Sequence, residues 1–230
     1  MRIRVVSVLL ALGLIATGCA THVQEPVELK PAAITTQGTR VGVVMTDLPK
    51  ANTYFPGAGC LLCMATAEMA NSSLTKHTKT LTLEDLPTLK DQAAALLRKK
   101  GLAVTVISDK LDLSALPKHS TEGQNVAAKD YAVLAQRYQL DKLLVLSVNT
   151  IGFSRPYSAY VSNGDPKAVF NGVGYMVDLK TNTYDWYNTA EIARAANGTW
   201  GEGPNFPGLT NAYYEVLELG KDAFLKPFAQ

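Results

Sequence analysis

The run KLLVLSVN, from Lys142 to Asn149, limits the possible folds more than any other stretch. It is apolar at almost every position, so a strand built from it needs cover on both faces. Such strands lie in the middle of a sheet. Just before it, Tyr131, Leu134, Ala135 and Tyr138 recur at i, i+3, i+4 and i+7 and share one face of a helix. A helix therefore hands the chain directly to a central strand.

The remaining elements fit around that strand. RVGVVMTD (Arg40 to Asp47) is β-branched, bounded by Gly38 and Pro49, and reads as a second buried strand. A helix is expected from about Cys60 to Thr75. Another begins near Pro87, where Leu89, Ala93, Leu96 and Leu97 give an apolar stripe and Arg98-Lys99-Lys100-Gly101 a stop. LAVTVI (Leu102 to Ile107) is a strand. AVFNGVGYMVDL and YDWYNTAEIARA, joined by Lys180-Thr181-Asn182-Thr183, form a hairpin. After the loop NGTWGEGPNFPG, a last helix carries Leu209, Ala212, Tyr213, Val216, Leu217 and Phe224 on one face, and Pro227 is expected to end it. The order β-α-α-β-α-β-β-β-α predicts an α/β (α+β) fold: a mixed sheet of about five strands with helices packed on it, in one domain over residues 39–230.

The amino-terminal region reads as an address. Residues 1–18, MRIRVVSVLLALGLIATG, place Arg2 and Arg4 before an apolar run too short to span a bilayer, the layout of a secretory signal. The run ends in Ala16-Thr17-Gly18-Cys19, which resembles a bacterial lipobox and implies acylation of Cys19. By the same analogy, Ala20 implies the inner leaflet of the outer membrane, with the domain on the periplasmic face. Residues 19–38 are polar, carry two prolines and show no period, so they are expected to be a flexible tether. The chain holds 22 Lys and Arg against 20 Asp and Glu. Arg2 and Arg4 leave with the signal, so the mature protein is neutral and lacks the cationic footprint that nucleic acid demands.

YAVLAQRYQLDKLLVLSVNTIG followed by GVGYMVDLKTNTYDWY resembles a module of bacterial envelope lipoproteins, shared by the amino-terminal domain of TolB, CsgG and LpoB. The matching residues are Ala135, Asp141, Leu143 to Val148, Val177 to Thr181 and Trp186, within residues 128 to 190. Where the family turn often has glycine, this chain has Asn182, which tolerates positive φ. The resemblance implies a periplasmic binding or assembly module. It does not extend to a CsgG-like pore, because the insertion at about 150 to 167 is short and rich in Pro and Gly. It also leaves residues 52 to 69 unmatched.

Once Cys19 is acylated, Cys60 and Cys63 are the remaining thiols. In an oxidising compartment they read as a disulfide staple at a helix start. The competing reading is a thiol-disulfide redox protein, since a helix dipole lowers a thiol's pKa. Against it stand Gly59 in place of an aromatic residue before Cys60 and the lack of a proline just before Leu143. Met64 follows Cys63 where haem attachment needs histidine, and His22, His77 and His119 have no partner spacing for zinc. Ser147 has no flanking glycines, and the paired carboxylates Glu84-Asp85 and Asp109/Asp112 are explained by a helix start and a solvated loop. No cofactor, metal or catalytic residue is expected. Three loops gather aromatic residues among glycine and proline, namely Tyr54 and Phe55, then Phe153, Arg155, Tyr157 and Tyr160, then Trp200 and Phe206. Aromatics and arginine dominate binding hot spots. These residues either cap the ends of the sheet or form the candidate surface for an envelope protein or peptidoglycan-associated partner, and homo-oligomerisation is the structural alternative.

Overall fold

A computed structural model describes residues 23–109 and 111–230. The signal segment and Cys19 lie outside the described residues. In chain order the elements are α1 (Ala32–Thr35), β1 (Arg40–Met45), β2 (Asn52–Tyr54), α2 (Leu61–Ala70), α3 (Ser72–Thr78), α4 (Leu89–Lys99), β3 (Ala103–Val106), α5 (Ala132–Tyr138), β4 (Lys142–Ser154), β5 (Tyr157–Ser158), β6 (Val161–Ser162), β7 (Lys167–Asp178), β8 (Thr183–Ala195) and α6 (Pro207–Ala229). The main sheet is six-stranded and mixed, ordered β3-β1-β4-β7-β8, with β2 added beside β4. β1 is parallel to β3 and β4, while β4, β7 and β8 form an antiparallel meander.

The apolar run at Lys142 is central, as its composition requires. Leu144, Leu146 and Val148 face the layer of α4 and α6, while Leu143 and Val145 face the opposite cluster with Tyr131, Tyr175 and Val177. Fully burying each such side chain stabilises the fold by about 1.5–3 kcal/mol. The 111–140 segment covers the second face only over the half of the sheet near the β7–β8 turn. At that turn Asn182 takes φ 55°, and its Nδ2 donates to Ala127 and Lys129 carbonyls at 3.0 Å each.

Three sequence expectations change. β4 runs 13 residues, past Asn149 to Ser154, with a register shift between Val148 and Thr150, so the loose segment begins later than predicted. α6 continues through Pro227 to Ala229. Proline lacks the N–H that would bond the Ala223 carbonyl, and Asn188 Nδ2 fills the gap from β8 at 3.3 Å. The segment expected to be a free tether is bound to the domain over its second half. Val27 and Tyr187 exchange backbone hydrogen bonds of 2.8 and 3.0 Å, and Ala33 and Ile34 are buried. The physical reason is an unpaired strand edge next to scattered apolar residues, Val27, Leu29, Ala33 and Ile34, which together offset the entropy of ordering. Among the described residues no helix is long and apolar enough to cross a membrane.

Candidate functional site

The long strands give the molecule two ends. At the end near the β7–β8 turn, polar groups are paired. Lys142 Nζ donates to Asp178 Oδ2 at 2.9 Å and Asp185 Oδ2 at 2.5 Å, and Lys30 Nζ reaches Asp185 Oδ1 at 3.1 Å. These carboxylates outweigh the desolvation of Lys142, whose pKa lies above the ordinary lysine value. Hydrogen bonds from Arg40 hold the Asp141 carboxyl at about 2. Asp178 Oδ1 accepts the turn amide of Lys180 at 3.0 Å. Burial pushes the Tyr131 hydroxyl up to about 12, and it shares a 2.7 Å hydrogen bond with Tyr175. The residues that carry the family resemblance, Asp141 and Val177 to Thr181, thus tie turns and strands together.

At the far end the candidate loops come together. Gly152 at φ 138° lets β2 lie against β4, since a Cβ there would stand 1.9 Å from Asn52 O. Beyond the strands, Arg155 N donates to Tyr54 O at 2.9 Å and Tyr157 N to Pro56 O at 2.8 Å. Gly57, at φ 90°, passes so close to Tyr157 O that a Cβ would fall 1.9 Å from it. The YFPGAG loop is thereby joined to RPY, and α2 starts immediately after it.

Cys60 is the N-cap of α2, and its Sγ accepts from Cys63 N at 2.9 Å, the task usually given to a serine or aspartate oxygen. The two sulfurs are at bonding distance, in agreement with the predicted staple. The Tyr160 hydroxyl faces Cys60 Sγ at 3.7 Å. Cys63 and Ala67 pack with Phe55, Ala58 and Tyr157 in a small core of their own, with Phe55 edge-on to Tyr157 at 5.8 Å. Buried Asn71, between α2 and α3, donates to Tyr157 Oη at 2.7 Å and accepts from Arg155 Nη1 at 2.9 Å. The Arg155 guanidinium also lies over Trp200 at 4.8 Å, and Trp200 stacks on Phe206 at 6.3 Å. His77, whose pKa burial lowers, closes the row against Phe206 at 5.6 Å and shares a 2.8 Å hydrogen bond with Thr210.

Except for Phe153, which is buried in the main core with its ring 6.0 Å from that of Tyr213, the predicted residues therefore form one connected group, but most of them face inward. Phe55 and Tyr157 are buried, Tyr54, Arg155, Trp200 and Phe206 are half-buried, and Tyr160 alone of the set is exposed. The surface around them comes from α2, which the sequence marked as helical without showing which face it buries, and from Val161 of β6. Leu61 is 87% exposed, Leu62 68%, Met69 78% and Val161 66%. α2 buries its small residues, Cys63 and Ala67, and turns its large ones outward. The available signal was the lack of a polar face in LLCMATAEMA, which an ordinary surface helix would have. Among the described residues, no group of three His, Cys, Asp or Glu could hold a metal ion.

No family model matches the chain, and no curated protein matches it. Similar solved structures include protein XCC0632 from Xanthomonas campestris (13% identity, TM-score 0.38, covering 87% of this chain and 88% of that one). Others are the PelC dodecamer from Paraburkholderia phytofirmans (14%, 0.34, 86% and 95%) and lipoprotein GNA1162 from Neisseria meningitidis (15%, 0.32, 79% and 96%). None of the three is a TolB, CsgG or LpoB protein, so that resemblance gains no support from them. Scores at this level leave the function of this chain to its own residues.

Proposed function

We propose that the chain is a lipoprotein anchored through Cys19 to the periplasmic face of the outer membrane, and that its disulfide-capped end is a non-enzymatic docking module for an envelope protein. The observation that carries this is the outward set of Leu61, Leu62, Met69, Tyr160 and Val161 at one end of the domain. Large contiguous apolar surface costs solubility and is characteristic of interaction sites. Its position suits an anchored protein. Gln24, at the start of the described chain, bonds Asn125, which in turn pairs with Tyr184 near the β7–β8 turn. The strand separation between that level and Arg155 is roughly 35 Å at about 3.3 Å per residue. An anchor entering there holds the apolar end away from its membrane.

The disulfide supports docking more than redox turnover. Cys60 caps α2 and Cys63 fills the small core, so both sulfurs have structural tasks that keep Leu61 and Leu62 in place. The test is site-specific photocrosslinking in the full chain, in cells, from Leu61, Leu62 and Tyr160 and, for comparison, from Lys180 at the turn. One defined envelope partner captured from the first three positions, and lost with Leu61→Asn/Leu62→Asn, is the expected result. Capture from Lys180 alone would overturn the assignment. Cys19→Ser should release the protein from the membrane fraction, and retention there would remove the lipid anchor.

A further inference from the structure

β8 is an edge strand whose first half is covered and whose second half is open. Tyr187 turns its N–H and C=O outward to Val27. The register with β7 is unbroken from Tyr187 to Ala195, so by alternation Thr189, Glu191, Ala193 and Ala195 also point their backbone groups outward. No backbone partner meets them among the described residues; the Ala193 carbonyl accepts from the neighbouring Arg194 Nη1 at 3.0 Å, which leaves it a second lone pair for an incoming strand. All four are exposed, and this stretch has no proline or bulge to blunt the edge; its charged residues are Glu191 and Arg194. Arg194 projects to the helix side, where Glu215 Oε1 holds its Nε at 2.9 Å.

Charge selects the occupant. On the open face, Lys167 of β7 stands directly opposite Ala195 of β8, and Glu191 lies on the edge itself. Both are exposed, and neither has an ion-pair partner among the described residues. We propose that this edge pairs antiparallel with the same edge of a second copy of the chain, about a two-fold axis at Ala193. Ala195 then lies opposite Glu191 of the partner subunit. Lys167, Ala195 and Glu191 of the partner subunit form one row across three strands, about 9.6 Å from end to end at the usual strand spacing. Extended lysine and glutamate side chains span that distance over the alanine methyl, and the two-fold makes the ion pair twice. A register that sets Glu191 opposite itself brings like charges together and is disfavoured. The proposal is independent of the apolar end, which lies on α2 and β6.

The test uses the full, membrane-anchored chain in cells. With Ala193→Cys, the two-fold sets the paired Cα atoms about 5.5 Å apart, within disulfide reach. Oxidation should give a species of twice the mass, whereas Ala103→Cys on the other edge should not. Adding Glu191→Lys or Lys167→Glu alone to Ala193→Cys should lower the crosslinked fraction about tenfold, and combining both reversals should restore it. Absence of the Ala193→Cys dimer in a chain with normal circular dichroism would overturn the proposal. So would crosslinking only to a different protein, or failure of the double reversal to restore the dimer.

Discussion

The two ends of the long meander solve opposite problems. Near the β7–β8 turn, charges and hydroxyls are drawn inward and matched: Lys142 with Asp178 and Asp185, Tyr131 with Tyr175, Asn182 with two carbonyls. At the far end a second, small core does the holding, and the large apolar side chains of α2 are left outside. The difference shows where stability and recognition sit. The near end closes the main core, and removing a partner there strands a charge. The far end hangs on β2, one disulfide and the Arg155–Asn71–Tyr157 bonds, so it can vary with little effect on the sheet.

The largest effect expected is from Lys142→Met. It leaves the carboxylates of Asp178 and Asp185 with only the half-exposed Lys30 as a cation, in a site where the Asp185 side chain is 8% exposed, and should cost about 3 kcal/mol in chemical denaturation. A loss below about 1 kcal/mol would mean that the near end does not carry the stability assigned to it.

Next is Cys60→Ser/Cys63→Ser. A loop this short constrains the unfolded chain weakly, so the loss should be about 1–2 kcal/mol. Hydrogen exchange should quicken in α2 and around Tyr157 while β4 and β7 stay protected. Uniform loss of protection would merge the two ends into one cooperative unit.

The smallest effect concerns acid. Because Arg40 depresses the Asp141 carboxyl to about 2, against an ordinary 3.8, its contribution is complete above the ordinary value and is lost as pH falls toward about 2. The pair is half exposed, at 51% and 43%, so the slope is shallow and weakens with salt. Asp141→Asn should flatten stability between about pH 4 and pH 2 by lowering the neutral value slightly toward the acid one, and an unchanged acid limb would remove Asp141 from the account.

How much of this was legible differs along the chain. The buried strand at Lys142, the hairpin about Asn182 and the stripe of α4 follow from periodicity and turn chemistry, both of which are local. β2 was missed because three residues, Asn52–Tyr54, carry no period and become a strand only against β4. The bound segment about Val27 was missed for the same reason. At the candidate site, the fold brings the aromatic loops together, but the direction of their side chains was not legible. Phe55 and Tyr157 are no different in composition from exposed aromatics, and it is the approach of α2 that encloses them.

The sequence by itself determined the layers: a central apolar strand needs two covered faces, and helices of period 3.6 next to it supply the cover wherever they fall in the chain. It also placed Cys60 and Cys63 three apart at a helix start, the spacing from which a staple was expected. Only the tertiary structure decided which side chains of α2 face water and which half of the β8 edge stays open. Both depend on what lies alongside, the small core under α2 and Val27 beside Tyr187, and contacts between residues distant in the chain leave no periodic trace in it.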